Sequence, residues 1–372
     1  MTQRPPIIDA DGHVMEPPDM WRRFIDPAFR DRAPGLVQTP DGRARLVTGG
    51  RFSPRDDAIS AAMLARFGAD TRKRLPAYHA AGYSAESQVR ALDAGGVAIS
   101  FLYPTQGLYV ASVDDLDPAL GIAICRAYND WLLEFCGHAP DRLRPVGMLA
   151  ALHDPRAAVD EVARLAERGV RAIFVRPNPV CGRPLGDPAY EPLWAECERR
   201  GLGVGIHEGV GAHLPTVGGD RFRTFFATHT ASHPMEQMLA MLALVERGVF
   251  ERHPRLRVAF LESGCGWLPY WLWRMDEHWE KTRGVEGEPD IPRPPSEYIR
   301  RQCWISCEPD EPGLPDLVRV IGEDRVLFAS DYPHPDHEWP KTVETMLAVD
   351  LPEPSRRKIL HDNAAAFYDL AS

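Results

Sequence analysis

Short apolar runs alternate with amphipathic segments along almost the whole chain, and few folds satisfy that rhythm. The runs are Ile7 to Asp11, Val97 to Tyr103, Leu143 to Leu149, Val170 to Val175, Gly203 to His207, Arg257 to Leu261, Cys303 to Cys307 and Val326 to Ala329. Their length suits strands rather than helices, and their continuous apolarity suits strands buried on both faces. Helical patterns over Ala85 to Gly95, Pro155 to Arg168, Tyr190 to Arg200 and Met235 to Phe250 fall between them. Strands joined in this way by crossover helices predict an α/β fold, a (β/α)8 TIM barrel. With 372 residues, 44% of them hydrophobic, the chain has core enough for one such domain over residues 1–372. Two stretches break the rhythm. One is an insertion after strand one, about 17–83, with a hairpin-like Gln38-Thr39-Pro40-Asp41-Gly42-Arg43; the other is a Pro-rich loop from Arg283 to Pro295. Both are predicted to cover the barrel mouth.

In such a barrel the chemistry sits where the strands end. Strand one ends in Asp11 and His13 with Glu16 just beyond, the fourth in Arg176, the fifth in His207 and Glu208, the sixth in Glu262, the seventh in Glu308 and the eighth in Asp331. Residues at i and i+2 of an extended segment share a face, so Asp11 and His13 can reach one ion together. Their oxygen and nitrogen donors suit zinc, iron or manganese. A short Asp/His motif also fits a capping cluster with a surface histidine. A lone His207 likewise fits a satisfied core histidine. The agreement among strand ends favours a metal. Asp331 is read as ligand or base, and Glu262 is expected to face the metal cavity and, with Asp331 or His233, to move protons. The planar fork of Arg176 suits a substrate carboxylate, against a structural role beside a nearby acid. His334, close behind Asp331, is placed with Arg176 at the substrate. His229 and His233 are expected to precede the long helix, with Ser232 as its cap and Pro234 in its first turn. His233, with Glu16, would then form a second ion site within reach of Asp331, while the role of His229 stays open.

A formal net charge of −10 argues against nucleic acid and anionic membrane surfaces as partners, which leaves a small-molecule substrate. No signal-like N-terminus and no apolar run of roughly 18 to 20 residues is present, so the cytoplasm is the expected compartment. Seven cysteines without a C-x-x-C pair read as reduced thiols. The aromatic run Trp267-Leu268-Pro269-Tyr270-Trp271-Leu272-Trp273 reads as core or as a subunit contact that supports a homodimer. Specificity is expected in the insertion and in the loop near Asp336-His337-Glu338-Trp339.

Asp11-x-His13, His207, Ser330-Asp331-Tyr332-Pro333 and the Gly248-Val249-Phe250-Glu251-Arg252-His253-Pro254 segment together resemble the amidohydrolase-related TIM-barrel family. The similar branch is that of aminocarboxymuconate semialdehyde decarboxylase and gamma-resorcylate decarboxylase. The resemblance implies one divalent metal, held by Asp11, His13, His207 and Asp331. It also implies a metal-dependent hydrolase or nonoxidative decarboxylase acting on a small carboxylated or aromatic compound. Two departures stand out. Relatives place a catalytic histidine after strand six, where this chain has Glu262. Binuclear members of the wider superfamily bridge two metals through a modified lysine after strand four, where this chain has Arg176. Zinc is the expected ion, with iron or manganese and one or two ions as variants. A di-metal (iron or manganese) oxygen-activating enzyme and a degenerate ligand-binding barrel are the alternatives, and ligand positions intact at three strand ends argue against the second.

Overall fold

The computed structural model describes residues 5–40, 44–53, 61–108, 110, 112–209, 216–287, 291–334 and 338–370. Strand β1 (Ile8–His13) is followed by a small antiparallel sheet of β2 (Gly35–Gln38), β3 (Ala44–Thr48) and β4 (Arg51–Phe52). Then come β5 (Ile99–Tyr103), β6 (Leu143–Met148), β7 (Ala172–Val175), β8 (Gly203–His207), β9 (Arg257–Leu261), β10 (Cys303–Cys307) and β11 (Val326–Phe328). The sheet runs β1-β5-β6-β7-β8-β9-β10-β11, and every adjacent pair in it is parallel. These are the eight strands expected from the apolar runs, with ends shifted by a residue or two.

Closure of the barrel falls just beyond β11. Asp331 N donates to Asp11 O at 3.0 Å, and His13 N donates to Tyr332 O at 2.7 Å. The backbone of the two strand-one site residues is therefore also the seam of the barrel. Behind the seam lies Asp9, fully buried. Its carboxylate accepts from Ser100 Oγ (2.8 Å), Ser330 N (2.9 Å) and Ser330 Oγ (2.7 Å), joining β1, β5 and the end of β11. Burial pushes the Asp9 pKa up, while the two serine hydroxyls and the Ser330 and Asp11 amides work against that rise. A β-bulge makes this arrangement possible. Asp9 pairs with Ser100 and Gly12 with Leu102, so β1 takes one residue more than β5 across this interval. A Cβ on Gly12 would sit 2.4 Å from Ser100 Oγ and 2.6 Å from Asp9 Oδ2, so only glycine fits there.

Inside the barrel, small residues make room for large ones. A Cβ on Gly205 in β8 would lie 2.6 Å from the Tyr103 hydroxyl. That hydroxyl lies 3.0 Å from Tyr368 Oη, and Tyr368 Oη in turn donates to Ala10 O at 2.6 Å. The last helical turns of the chain thus bind to the inner layer of β1.

Among the helices, Ala85–Gly95 lies where the pattern puts it, and Pro155–Glu167 and Glu191–Arg200 differ from expectation by one residue. The helix expected over Met235 to Phe250 is different. It begins at Phe225, runs to Glu246 with Pro234 inside it, and is followed by a separate turn over Val249–Arg252. Thr224, not Ser232, accepts from the first-turn amide of Ala227 (3.3 Å). Apolar periodicity is weak in Phe225 to Pro234, and the proline removes one N–H from the helix ladder without ending the helix. Glycine at 248, in the left-handed conformation, ends the long helix.

Between β1 and β5 the helices Ala61–Arg74 and Pro76–Ala80 follow the small sheet. Gln38 pairs with Ala44 across the expected hairpin, whose Asp41 to Arg43 lie outside the described residues. Arg74 Nη2 donates to His334 O at 3.1 Å, which ties this segment to the barrel mouth. Among the described residues, no helix is long and apolar enough to cross a membrane.

Candidate metal centre

At the C-terminal end of the barrel, five side chains from four strand ends turn inward to one point. His13 comes first because its tautomer can be argued. Its Nδ1 lies 2.8 Å from Pro104 O, which can only accept, so Nδ1 carries hydrogen and Nε2 faces the cluster. From His13 Nε2 the distances are 3.6 Å to Asp11 Oδ1, 3.4 Å to Glu262 Oε2 and 3.0 Å to Asp331 Oδ1. His207 Nε2 lies 3.6 Å from Asp11 Oδ1 and 2.9 Å from Glu262 Oε2. Donor atoms about 2.0–2.2 Å from a common ion are about 3.0–3.6 Å from each other, so this spacing fits a shared cation.

The backbone conformation serves the same convergence. Glu262 (φ +49°) and Asp331 (φ +51°) both occupy the left-handed region, which costs a non-glycine residue about 1–2 kcal/mol. Just past each strand the chain turns sharply and aims a carboxylate inward instead of along the strand. Glu262 N donates to Ser306 Oγ at 3.0 Å, which fixes that turn against β10. The His207 imidazole packs against the Tyr103 ring, with centroids 5.5 Å apart. Gln237 Nε2 donates to both Ile206 O and Leu261 O, clamping the ends of β8 and β9 to the long helix.

Electrostatics gives an independent test of fit. Asp11 is held well above the ordinary carboxylate range, first by burial and then by Glu262 and Asp331, with only His13 opposing. Burial would lower His13, but the Asp331 and Glu262 carboxylates beside it outweigh burial and raise its pKa well above the usual value. Burial would raise Glu262, yet His207, His13 and His233 hold it well below normal. Burial sets His207 low, against the pull of Glu262. Three carboxylates crowded into a dry pocket call for a positive charge at their centre. Asp11 Oδ1, His13 Nε2 and both nitrogens of His207 make no hydrogen bond within the protein. Asp11, His13 and His207 form one group with metal-ligand spacing, and His13, Glu262, Asp331 and His334 form another that shares His13. The donor set fits a divalent cation.

His334 packs face to face with His13 at 4.0 Å, with Nδ1 2.6 Å from Asp331 Oδ1 and Nε2 3.0 Å from Thr105 Oγ1. It braces the ligand carboxylate. Beside the cluster opens a cavity of about 320 Å³, lined among others by His229, His233, Glu262, Glu308 and Glu338. His233 Nδ1 stands 3.1 Å from Glu208 Oε2, and its Nε2 3.5 Å from Glu262 Oε1. His229 lies one helical turn before it, with ring centroids 4.0 Å apart. Burial, and then the neighbouring His233, push the His229 pKa down to about 4. Glu208, fully buried beside His233, was visible at a strand end but had no role assigned from sequence. Asp9 escaped altogether, because a carboxylate inside an apolar strand carries no motif.

Glu16 and Arg176 are not brought into the cluster. After β1 the chain turns toward the loop behind β5, and Glu16 becomes its anchor. Its Oε1 accepts from Gly107 N (2.9 Å) and its Oε2 from Gln106 N (2.9 Å), with Thr105 N also in range. The second ion site built on Glu16 and His233 therefore does not assemble. Arg176 is buried, and its Nη2 donates to Asp114 Oδ1 and to Pro179 O, both at 2.7 Å. It pins two loops together and is absent from the cavity lining, so the substrate role expected for it is not met.

A family model described as amidohydrolase matches residues 8–370. A 2-amino-3-carboxymuconate-6-semialdehyde decarboxylase from Dictyostelium discoideum is 29% identical over 259 residues, 68% of each chain. A gamma-resorcylate decarboxylase from Rhodococcus jostii (strain RHA1) is 29% identical over 282 residues, 70% of this chain and 80% of that one. Among solved structures, an amidohydrolase from Mycobacterium avium subsp. paratuberculosis K-10 superimposes with a TM-score of 0.81 at 26% identity, covering 99% of this chain and 100% of that one.

Glu16→Gln separates a loop anchor from a ligand. One accepting oxygen becomes a donor facing backbone N–H groups, so an unfolding measurement in denaturant is expected to show a loss of about 1–3 kcal/mol. Metal content measured by elemental analysis is expected to stay at the wild-type level, and a variant stripped of metal but normally stable would return Glu16 to the coordination sphere.

Proposed function

The chain belongs to the amidohydrolase family, and from that membership we propose that it is a nonoxidative carboxy-lyase acting on a small aromatic or unsaturated carboxylate. It is a metal-dependent enzyme of that family. The observation that carries the reading is the convergence of Asp11, His13, His207 and Asp331 at one end of the barrel, with Glu262 between them and an open cavity. Those four residues would hold the ion. Relatives named as decarboxylases support the choice of carboxylate chemistry.

When bound, a divalent ion would draw a substrate oxygen toward positive charge and favour build-up of negative charge on the adjoining carbon. The chain's own residues do the rest. Glu262, held anionic by its three histidines, directs Oε1 toward His233 at the cavity wall. Glu208 holds the far nitrogen of that imidazole, so His233 is positioned to carry a proton to the reacting carbon. The carbon–carboxylate bond breaks, its electron pair stays on the carbon, carbon dioxide departs and the proton replaces it. His334 keeps Asp331 oriented. Zinc is the proposed ion, although two imidazoles among carboxylates also suit manganese and iron.

Seven unpaired cysteines agree with a reducing compartment, and the cytoplasm is proposed. A homodimer is proposed as well. Met235, Leu239 and Leu242 form an exposed apolar stripe on the long helix, and Tyr270 and Trp273 are more than half exposed on the helix Leu268–Thr282 beside it. Trp271 Nε1 donates to Met238 O, so the two helices that carry these residues adjoin.

Protein purified without chelator is expected to contain one divalent ion per chain, and His207→Ala to lose it. In deuterated water, turnover of an ortho-hydroxybenzoate panel is expected to release carbon dioxide and leave deuterium on the vacated carbon. Solvent oxygen in the product without carbon dioxide would instead make the enzyme a hydrolase.

Glu262→Gln is expected to keep the metal while turnover falls by about 10²-fold or more, since His233 loses the anionic partner beside its Nε2. A metal-free variant would show that Glu262 is a ligand, and unchanged turnover would remove it from the chemistry.

Sedimentation at micromolar concentration is expected to give a dimer, and Leu239→Glu with Trp273→Glu a folded monomer. A monomeric wild type would sink the dimer assignment.

A further inference from the structure

The opposite end of the barrel carries a feature that the metal chemistry does not use. A cleft of about 760 Å³ opens at the N-terminal ends of the strands, with Arg144, Arg171 and Arg357 in its walls beside Asp362 and Asp369. Arg144 is the second residue of β6, and Arg171 immediately precedes the neighbouring β7. Arg357 is taken, with Nε 3.2 Å from Asp362 Oδ2. Arg144 and Arg171 are not. Among the described residues neither meets a carboxylate, and the buried Nε of Arg144 finds no acceptor at all. A further arginine crowds the same end: Arg257, first in β9, donates to Phe367 O and Gly201 O. Burial pulls its pKa down and Arg171 adds to that pull, with Asp369 opposing.

This gathering runs against the composition of the chain. Acidic residues outnumber Lys and Arg by 53 to 43, so carboxylates were available to neutralise these guanidiniums, yet two in one cleft remain unmatched. A buried cationic donor without an acceptor costs more than a neutral one. A bound anion would remove that cost.

We propose that this cleft binds a dianionic phosphate group, held between the Arg144 and Arg171 forks. Two guanidiniums match a charge of two, and their planar forks supply paired N–H donors to the oxygens of one phosphate. The cleft is larger than inorganic phosphate, and Asp362 and Asp369 offer acceptors at its side, so a phosphate ester with hydroxyl groups also fits. The site lies on the face of the barrel that carries stability rather than catalysis. It is independent of the carboxy-lyase reading.

Calorimetric titration of the full-length, metal-loaded protein with inorganic phosphate and with glycerol 3-phosphate, at ionic strength held constant with sodium chloride, tests the site. Saturable binding is expected. Arg144→Gln and Arg171→Gln are each expected to weaken it about tenfold or more, through loss of a charge-assisted partner. Arg171 is exposed, so its replacement leaves the barrel packing intact even if that of Arg144 does not. Tighter binding of glycerol 3-phosphate identifies an ester as the ligand, and equal binding identifies phosphate itself. Absence of saturable binding for both, or unchanged affinity in Arg171→Gln with metal content preserved, overturns the proposal.

Discussion

The seam between β1 and the end of β11 is the constraint on which the rest of this structure depends. Two backbone hydrogen bonds close the barrel there, and their donors and acceptors belong to Asp11, His13, Asp331 and Tyr332. The side chains of three of these residues point into the cluster. Folding and site assembly are therefore one event at this seam, since the barrel cannot close without setting the separation of the strand-one and strand-eight ligands. Asp9 guards the arrangement from behind, and its serine partners on β5 and after β11 replace the water that a buried carboxylate would otherwise need.

Much of the fold could be read from the chain because buried parallel strands are nearly all apolar, a pattern that survives without knowledge of partners. The strand ends were legible for the same reason: an acid or histidine closing an apolar run stands out. What failed was direction. Glu16 follows Asp11 and His13 so closely that it looked like a third ligand, but one turn of irregular backbone carries it to the Thr105–Gly107 amides. Arg176 ends its strand as expected, yet Asp114 on another loop claims it, and no local pattern announces a partner so far along the chain. His229 and His233 were expected before the long helix because Pro234 looks like a helix start. The helix instead begins at Phe225, capped by Thr224, and places both imidazoles on one of its faces.

The cluster also shows how charge can be organised without being neutralised locally. Asp11 is driven toward its neutral form while Glu262 is driven away from it, although both share the same pocket and the same histidines. The difference is geometric. Glu262 stands within 3.5 Å of three imidazoles, whereas Asp11 lies 3.6 Å from two and feels the other carboxylates as well. One shell of groups thus holds its carboxylates in unlike surroundings, distinguished by a fraction of an ångström.

The tie from Arg74 to the His334 carbonyl has a consequence for how molecules reach this centre. It fastens the helix Ala61–Arg74 over the β1 and β11 side, leaving the approach beside Glu262, Glu308 and Glu338 open. Among the described residues the cavity is lined from the loops that follow β9 and β10, so a visitor entering past them meets Glu262 at the edge of the cluster. Those loops can change their side chains without disturbing the seam. The same scaffold can accordingly be retuned to new visitors by altering the doorway alone, while the hinge side, where closure and coordination coincide, stays fixed.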